Sequence, residues 1–100
     1  MAAYVISEIS EVLDTTLMEE YRSLAQATIE QYGGRYLVRG GTLETIEGDS
    51  GPQRIVIVEF PTMERVQDWY HSPEYAKALT VRQKALERKL IFVEGVALRE

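Results

Sequence analysis

From Arg54 to Tyr75 the chain reads RIVIVEFPTMERVQDWYHSPEY. Among its first seven positions Ile55, Val56, Ile57, Val58 and Phe60 are β-branched or aromatic, with almost no polar interruption, the pattern of a strand covered on both faces. Pro61 has no N–H to continue a ladder and ends that strand. Thr62 is placed to cap a helix that carries Met63, Val66, Trp69 and Tyr70 on one side. Ser72-Pro73 breaks the helix and restarts it, with Ser72 as N-cap and Pro73 at the first helical position. The restarted helix aligns Tyr75, Leu79, Arg82 and Leu86, which puts one arginine on an apolar stripe.

The same reading extends to both sides. Residues 3–9 alternate as a strand, with Tyr4, Ile6 and Glu8 on one face and Val5, Ser7 and Ile9 on the other. Asp14, Thr15 and Thr16 are candidate N-caps, and Thr16 with Glu19 has capping-box spacing. The helix they open carries Leu17, Tyr21, Leu24, Thr28 and Tyr32 in one stripe, flanked by Ala25 and Ile29. Gly33-Gly34 closes it, because a left-handed residue past the helix end costs glycine no Cβ clash. Strand pattern resumes over residues 35–38, is interrupted at Gly40-Gly41, and continues over residues 42–46 to a turn-rich connection at residues 47–52. A last strand is expected over residues 90–94.

The order is strand, helix, strand, strand, helix, strand. This predicts an α+β fold: a ferredoxin-like βαββαβ antiparallel sheet of order 4-1-3-2 with the helices on one face. The face without helices should then be polar, yet Ile55 and Ile57 oppose Val56, Val58 and Phe60, and Leu90 and Phe92 oppose Ile91 and Val93. A monomer would leave that apolar surface in water, so the pattern predicts a homodimer formed sheet to sheet.

Composition narrows the class. One hundred residues suit a single domain over residues 1–100. A net charge of −5 with no Lys/Arg cluster argues against nucleic-acid binding. The absence of cysteine removes disulfides, thiolate metal sites and cysteine nucleophiles, and is compatible with a reducing compartment. The first ten residues lack the basic and apolar regions of a signal peptide, and no stretch is apolar enough to span a membrane. A cytoplasmic location is the expectation.

The segments YGGRYLVRGG, RIVIVEFP, WYHSPEY and IFVEG, in this order and spacing across nearly the whole chain, resemble a bacterial family of domains of unknown function, the one numbered 1330. That family is placed in the dimeric α/β-barrel superfamily. The resemblance implies a ferredoxin-like protomer that pairs through its sheet into a barrel. It implies no reaction, since the wider superfamily mixes cofactor-free monooxygenases, lactone isomerases and haem proteins, and fold does not decide among them.

Candidate chemistry centres on Glu59. It interrupts an apolar strand just before Pro61, where a buried carboxylate must be paired, hydrated or used. If residues whose numbers sum to about 99 or 100 face each other across the hairpin, Glu59 lies beside Gly40-Gly41 and near Arg39. The pair is then either a cross-strand ion bridge or a base and anchor bordering a cavity opened by the glycines. Trp69, Tyr70 and Tyr75 are core aromatics or the walls of a pocket for a flat ligand. Arg82 either snorkels to the helix edge or anchors a carboxylate. His71, the only imidazole, is a helix-end histidine or a ligand-contacting one. No metal or cofactor site is expected: zinc would need carboxylates for its remaining ligands, and neither GG pair has nucleotide-fingerprint spacing. Two functions fit: a small acid/base or cofactor-free oxygenase or isomerase acting on a small organic molecule, and a non-catalytic dimeric ligand-binding or accessory protein.

Overall fold

The computed structural model describes residues 1–97. Its elements run β1 (Ala3–Val12), α1 (Thr15–Gln31), β2 (Arg35–Arg39), β3 (Arg54–Phe60), α2 (Met63–Tyr70), α3 (Pro73–Ala85) and β4 (Leu86–Glu94). The four strands form one antiparallel sheet in the order β2-β3-β1-β4, the expected ferredoxin-like arrangement. The two-sided apolar strand β3 is interior, as its composition requires. The second helix of the expected pattern is a broken one, so three helices cover the sheet.

Capping chemistry sets the helix ends. Asp14, rather than Thr16, caps α1 by accepting from the Leu17 N–H at 3.0 Å. At the other end Gly33, with φ 87°, donates to the Glu30 carbonyl at 3.1 Å, and Gly34 donates to the Ile29 carbonyl at 2.8 Å. This paired closure is a Schellman motif and needs the left-handed residue that glycine supplies. A Cβ on Gly34 would lie 2.8 Å from both Ile29 Cγ2 and Phe60 Cζ, so the helix end is drawn tightly onto β3. Thr62 caps α2 and Ser72 caps α3, with Pro73 in the first turn of α3.

Residues in one row across the sheet share a face. On the helix-covered face the rows read Tyr36–Val58–Val5–Phe92, Arg39–Val56–Ser7–Leu90 and Arg54–Ile9–Arg88. Val5, Ile9, Val58 and Phe60 are buried there under Met18, Tyr21, Ala25 and Ile29 of α1 and under Val66, Trp69, Tyr75 and Ala78. The other face carries Arg35–Glu59–Tyr4–Val93 and Val38–Ile57–Ile6–Ile91, and among the described residues no helix lies over it.

Three local expectations are corrected. Residues 42–46 are not strand: β2 stops at Arg39, and a loop over residues 40–53 replaces the short turn. The Gly40-Gly41 pair opens that loop, Gly40 with φ 72°, and is not a gap inside a strand. β4 starts at Leu86, directly after α3, so Leu86 belongs to the sheet and Arg88 becomes a strand residue. Among the described residues no helix is long and apolar enough to cross a membrane.

Candidate functional site

The pairing of Glu59 with Arg39 does not occur. β2 meets β3 with Arg35 opposite Glu59, and the register slips between Tyr36 and Val38. That bulge adds one residue to β2, and because side chains alternate with period two it turns Arg39 to the helix-covered face. Glu59 remains on the open face. Arg35 Nε donates to its Oε1 at 2.7 Å and the Tyr4 hydroxyl to its Oε2 at 3.2 Å. Glu59 lines none of the cavities described here. Arg39 donates to Gln26 Oε1 at 2.8 Å and lies 4.4 Å over the Tyr36 ring.

The cavity lies elsewhere, between α1 and the sheet. It encloses about 70 Å³, with Val5, Ile9, Val56 and Val58 as the floor and Met18, Ala25 and Ile29 as the roof. Trp69 contributes an edge, and its indole N–H donates to Thr28 Oγ1 at 3.1 Å. That ring is 2% exposed and packs 4.2 Å from the Tyr75 centroid and 5.4 Å from the Phe60 centroid, so it is chiefly a core residue. The polar lining is one-sided: Arg22, Arg39, Arg54 and Arg88 surround the space, with Tyr21, Tyr36 and Ser7, and among the described residues no carboxylate lines it. Among the described residues none of these four arginines has a carboxylate within ion-pair distance.

Arg88 is the organising cation. Its Nη1 donates to the Tyr21 hydroxyl at 2.8 Å and its Nη2 to the Tyr75 hydroxyl at 3.0 Å, while the two phenol oxygens are 2.6 Å apart. Burial works against the guanidinium charge, but the two phenol oxygens outweigh it and the pKa of Arg88 moves up. Burial pushes the Tyr75 hydroxyl far above its ordinary value; Tyr21 adds to this and Arg88 partly offsets it. Tyr75 is therefore fixed as the neutral phenol, 0% exposed.

Hydrogen counting then orients the cluster. Each phenol has one O–H, and both oxygens already accept from Arg88. A fully buried Tyr75 is satisfied when its O–H donates to Tyr21. That leaves the Tyr21 O–H free, and Tyr21 lines the cavity whereas Tyr75 does not. Two donors converging on the Tyr21 oxygen polarise its remaining O–H.

The other expected site residues separate. His71 is exposed at the end of α2, its ring 5.3 Å edge-on from Tyr70, and it lines none of these cavities. Tyr70 and Arg82 line a different cleft, between the helices and β4. Tyr75 joins the cluster through its hydroxyl. Tyr21 had been visible only as part of an apolar stripe, and Arg88 only as a residue outside the last strand. The available signal for Arg88 was the period-two series Leu86, Leu90, Phe92, which it interrupts. Arg54 had no local signal: it joins Arg88 only because both flank Ile9 in one row.

A ferredoxin-like sheet with a helix-covered cavity per chain defines a broad structural class. Residues 2–96 match the family described as Domain of unknown function (DUF1330), and the chain belongs to that family. No functionally curated protein matches it. Among solved structures, a protein of unknown function from Rhodopseudomonas palustris is similar at TM-score 0.78 and 16% identity, over 97% of this chain and 84% of that one. A dimeric protein of unknown function and ferredoxin-like fold from Bacteroides fragilis NCTC 9343 is similar at TM-score 0.64 and 16% identity, over 94% and 96%. SnoaB, a cofactor-independent oxygenase from Streptomyces nogalater, is similar at TM-score 0.63 and 12% identity, over 97% and 94%. Such likeness concerns the fold.

Proposed function

We propose that the protein binds a small organic acid in the cavity under α1, its anionic group toward Arg54, Arg88 and Tyr21 and its apolar body toward Val5, Val58 and Trp69. One observation carries this reading: four arginines line an apolar cavity without a carboxylate among the lining residues, in a chain whose net charge is −5. Cations gathered against the overall charge favour an anion, and guanidinium forks favour a carboxylate or enolate oxygen.

A catalytic version is favoured by the spare Tyr21 O–H, which can donate to a ligand oxygen or stabilise negative charge on it. Glu59 has no part in it, being on the opposite sheet face. The arrangement therefore supports oxyanion stabilisation better than proton abstraction by a carboxylate.

The assembly we infer is a homodimer through the open face. There Val38, Ile57, Ile6 and Ile91 form one apolar row across the sheet, with Val38 39% exposed. The Bacteroides relative, described as dimeric, supports the same reading.

Titration of the full chain with short-chain carboxylates and their matching amides tests the binding. The acid should bind at least about tenfold more tightly than the amide. Arg88→Met should abolish the preference, and Arg54→Met, on an exposed residue, should weaken it without unfolding the chain. Equal affinity for acid and amide, or a preference untouched by Arg54→Met and by Tyr21→Phe, overturns it.

A further inference from the structure

The cleft between α3 and β4 contains a second set of unmatched donors. It has a volume of about 160 Å³ and is lined by Tyr70, Leu79, Arg82, Arg88 and Leu90. Arg88 is its one lining residue in common with the cavity under α1. Among the described residues, the buried Arg82 Nε has no hydrogen-bond partner, and no carboxylate is within ion-pair distance of either arginine. A snorkelling arginine would bring its guanidinium to water. Here the Nε is withdrawn from bulk water, on a side chain that lines the cleft. Leaving a buried charged-group donor unmatched is costly, which points to an acceptor that enters the cleft.

We infer that this cleft is a separate site for a compact, doubly charged oxyanion of the phosphate type, held between Arg82 and Arg88 with the Tyr70 hydroxyl at its edge. Two guanidiniums facing one space match a dianion better than a single carboxylate. The fork of Arg82, Nε with a terminal nitrogen, matches two oxygens of one such group. Leu79 and Leu90 limit the room to the charged group itself. Arg88 has N–H groups left over after its bonds to Tyr21 and Tyr75, so it can serve the cleft without giving up the tyrosine cluster. The inference stands independently of what occupies the cavity under α1.

Inorganic phosphate is the probe, added to the full ¹⁵N-labelled chain at constant ionic strength with chloride as the control. The Arg82 Nε–H signal should shift saturably and exchange more slowly with phosphate and not with chloride. Arg82→Met keeps the apolar stem and should weaken phosphate binding at least about tenfold, while carboxylate binding in the other cavity is retained. Tyr21→Phe should have the reverse effect, weakening the carboxylate and sparing phosphate. Small shifts spread evenly over all arginines, or saturable phosphate binding unchanged by Arg82→Met, overturn the inference. If Arg82→Met does not fold, Arg82→Lys provides the same test: it keeps one charge, loses the fork, and should weaken phosphate binding measurably. Acetate shifting the Arg82 signal as strongly as phosphate would overturn the preference for a dianion.

Discussion

Tyr21 and Tyr75, on different helices, hold their hydroxyl oxygens 2.6 Å apart and share one guanidinium, that of Arg88. This contact joins α1 to α3 and orders β4 beneath both. Tyr21, unlike Tyr75, also lines the cavity. Tyr21 and Arg88 therefore both hold the elements together and line the cavity, and substitutions should separate the two effects by degree.

Tyr75→Phe should destabilise the chain by about 1–3 kcal/mol, because it removes a buried donor and leaves an Arg88 N–H unmatched. Tyr21→Phe should cost a similar amount, and the double variant less than the sum by at least about 0.5 kcal/mol. Denaturant unfolding of the four proteins measures the coupling. Strict additivity would mean that the two hydroxyls do not act as a unit.

Alkaline titration should find that Tyr75 does not ionise in the folded state. The Tyr75 pKa is raised, so above the ordinary phenol value near about 10 the unfolded chain releases its proton first. Stability from this group is complete below that pH and is lost as pH rises above it. Tyrosinate absorbance should show the Tyr75 phenolate appearing together with loss of helix, and Tyr75→Phe should remove that step and flatten the alkaline fall in stability.

Glu59→Gln tests the separation of the two sheet faces. Its partner Arg35 is 72% exposed at the side chain, so breaking the pair should cost no more than about 1 kcal/mol. Affinity for a carboxylate in the cavity should be unchanged. A lost affinity with an intact fold would mean that Glu59 reaches the site by a route other than its observed contacts.

Ile57→Lys, at the centre of the open face, should convert a dimer to a monomer. Light scattering should fall from twice 11.4 kDa to 11.4 kDa, with the circular dichroism spectrum retained. A wild-type chain that is already monomeric at micromolar concentration would count against sheet-face association.

Gly34→Ala should cost about 1–3 kcal/mol, since a Cβ there would be 2.8 Å from Ile29 Cγ2 and Phe60 Cζ in a packed region. Thermal unfolding checks it. Gly40→Ala should be milder: its φ of 72° imposes some backbone strain, but no atom lies within 4 Å of the added carbon.

The element order, the broken helix at Ser72-Pro73, the glycine stop at residue 33 and the interior position of β3 were all legible in the sequence. Each depends on local chemistry: periodicity, a missing N–H, a permitted positive φ, or apolarity on both faces. The open apolar face followed from the same alternation. Register was another matter. The Gly40-Gly41 pair marks where β2 stops, but it does not say whether β2 meets β3 through a short turn or through the loop over residues 40–53. The bulge at Leu37 then turned Arg39 from the face of Glu59 to the face of the cavity. Arg54 and Arg88, thirty-four positions apart in the chain, meet only through β1, on either side of Ile9. Periodicity determines which face a side chain takes within its own strand; the distance between charges on different strands is set by pairing, and only the folded sheet decides it.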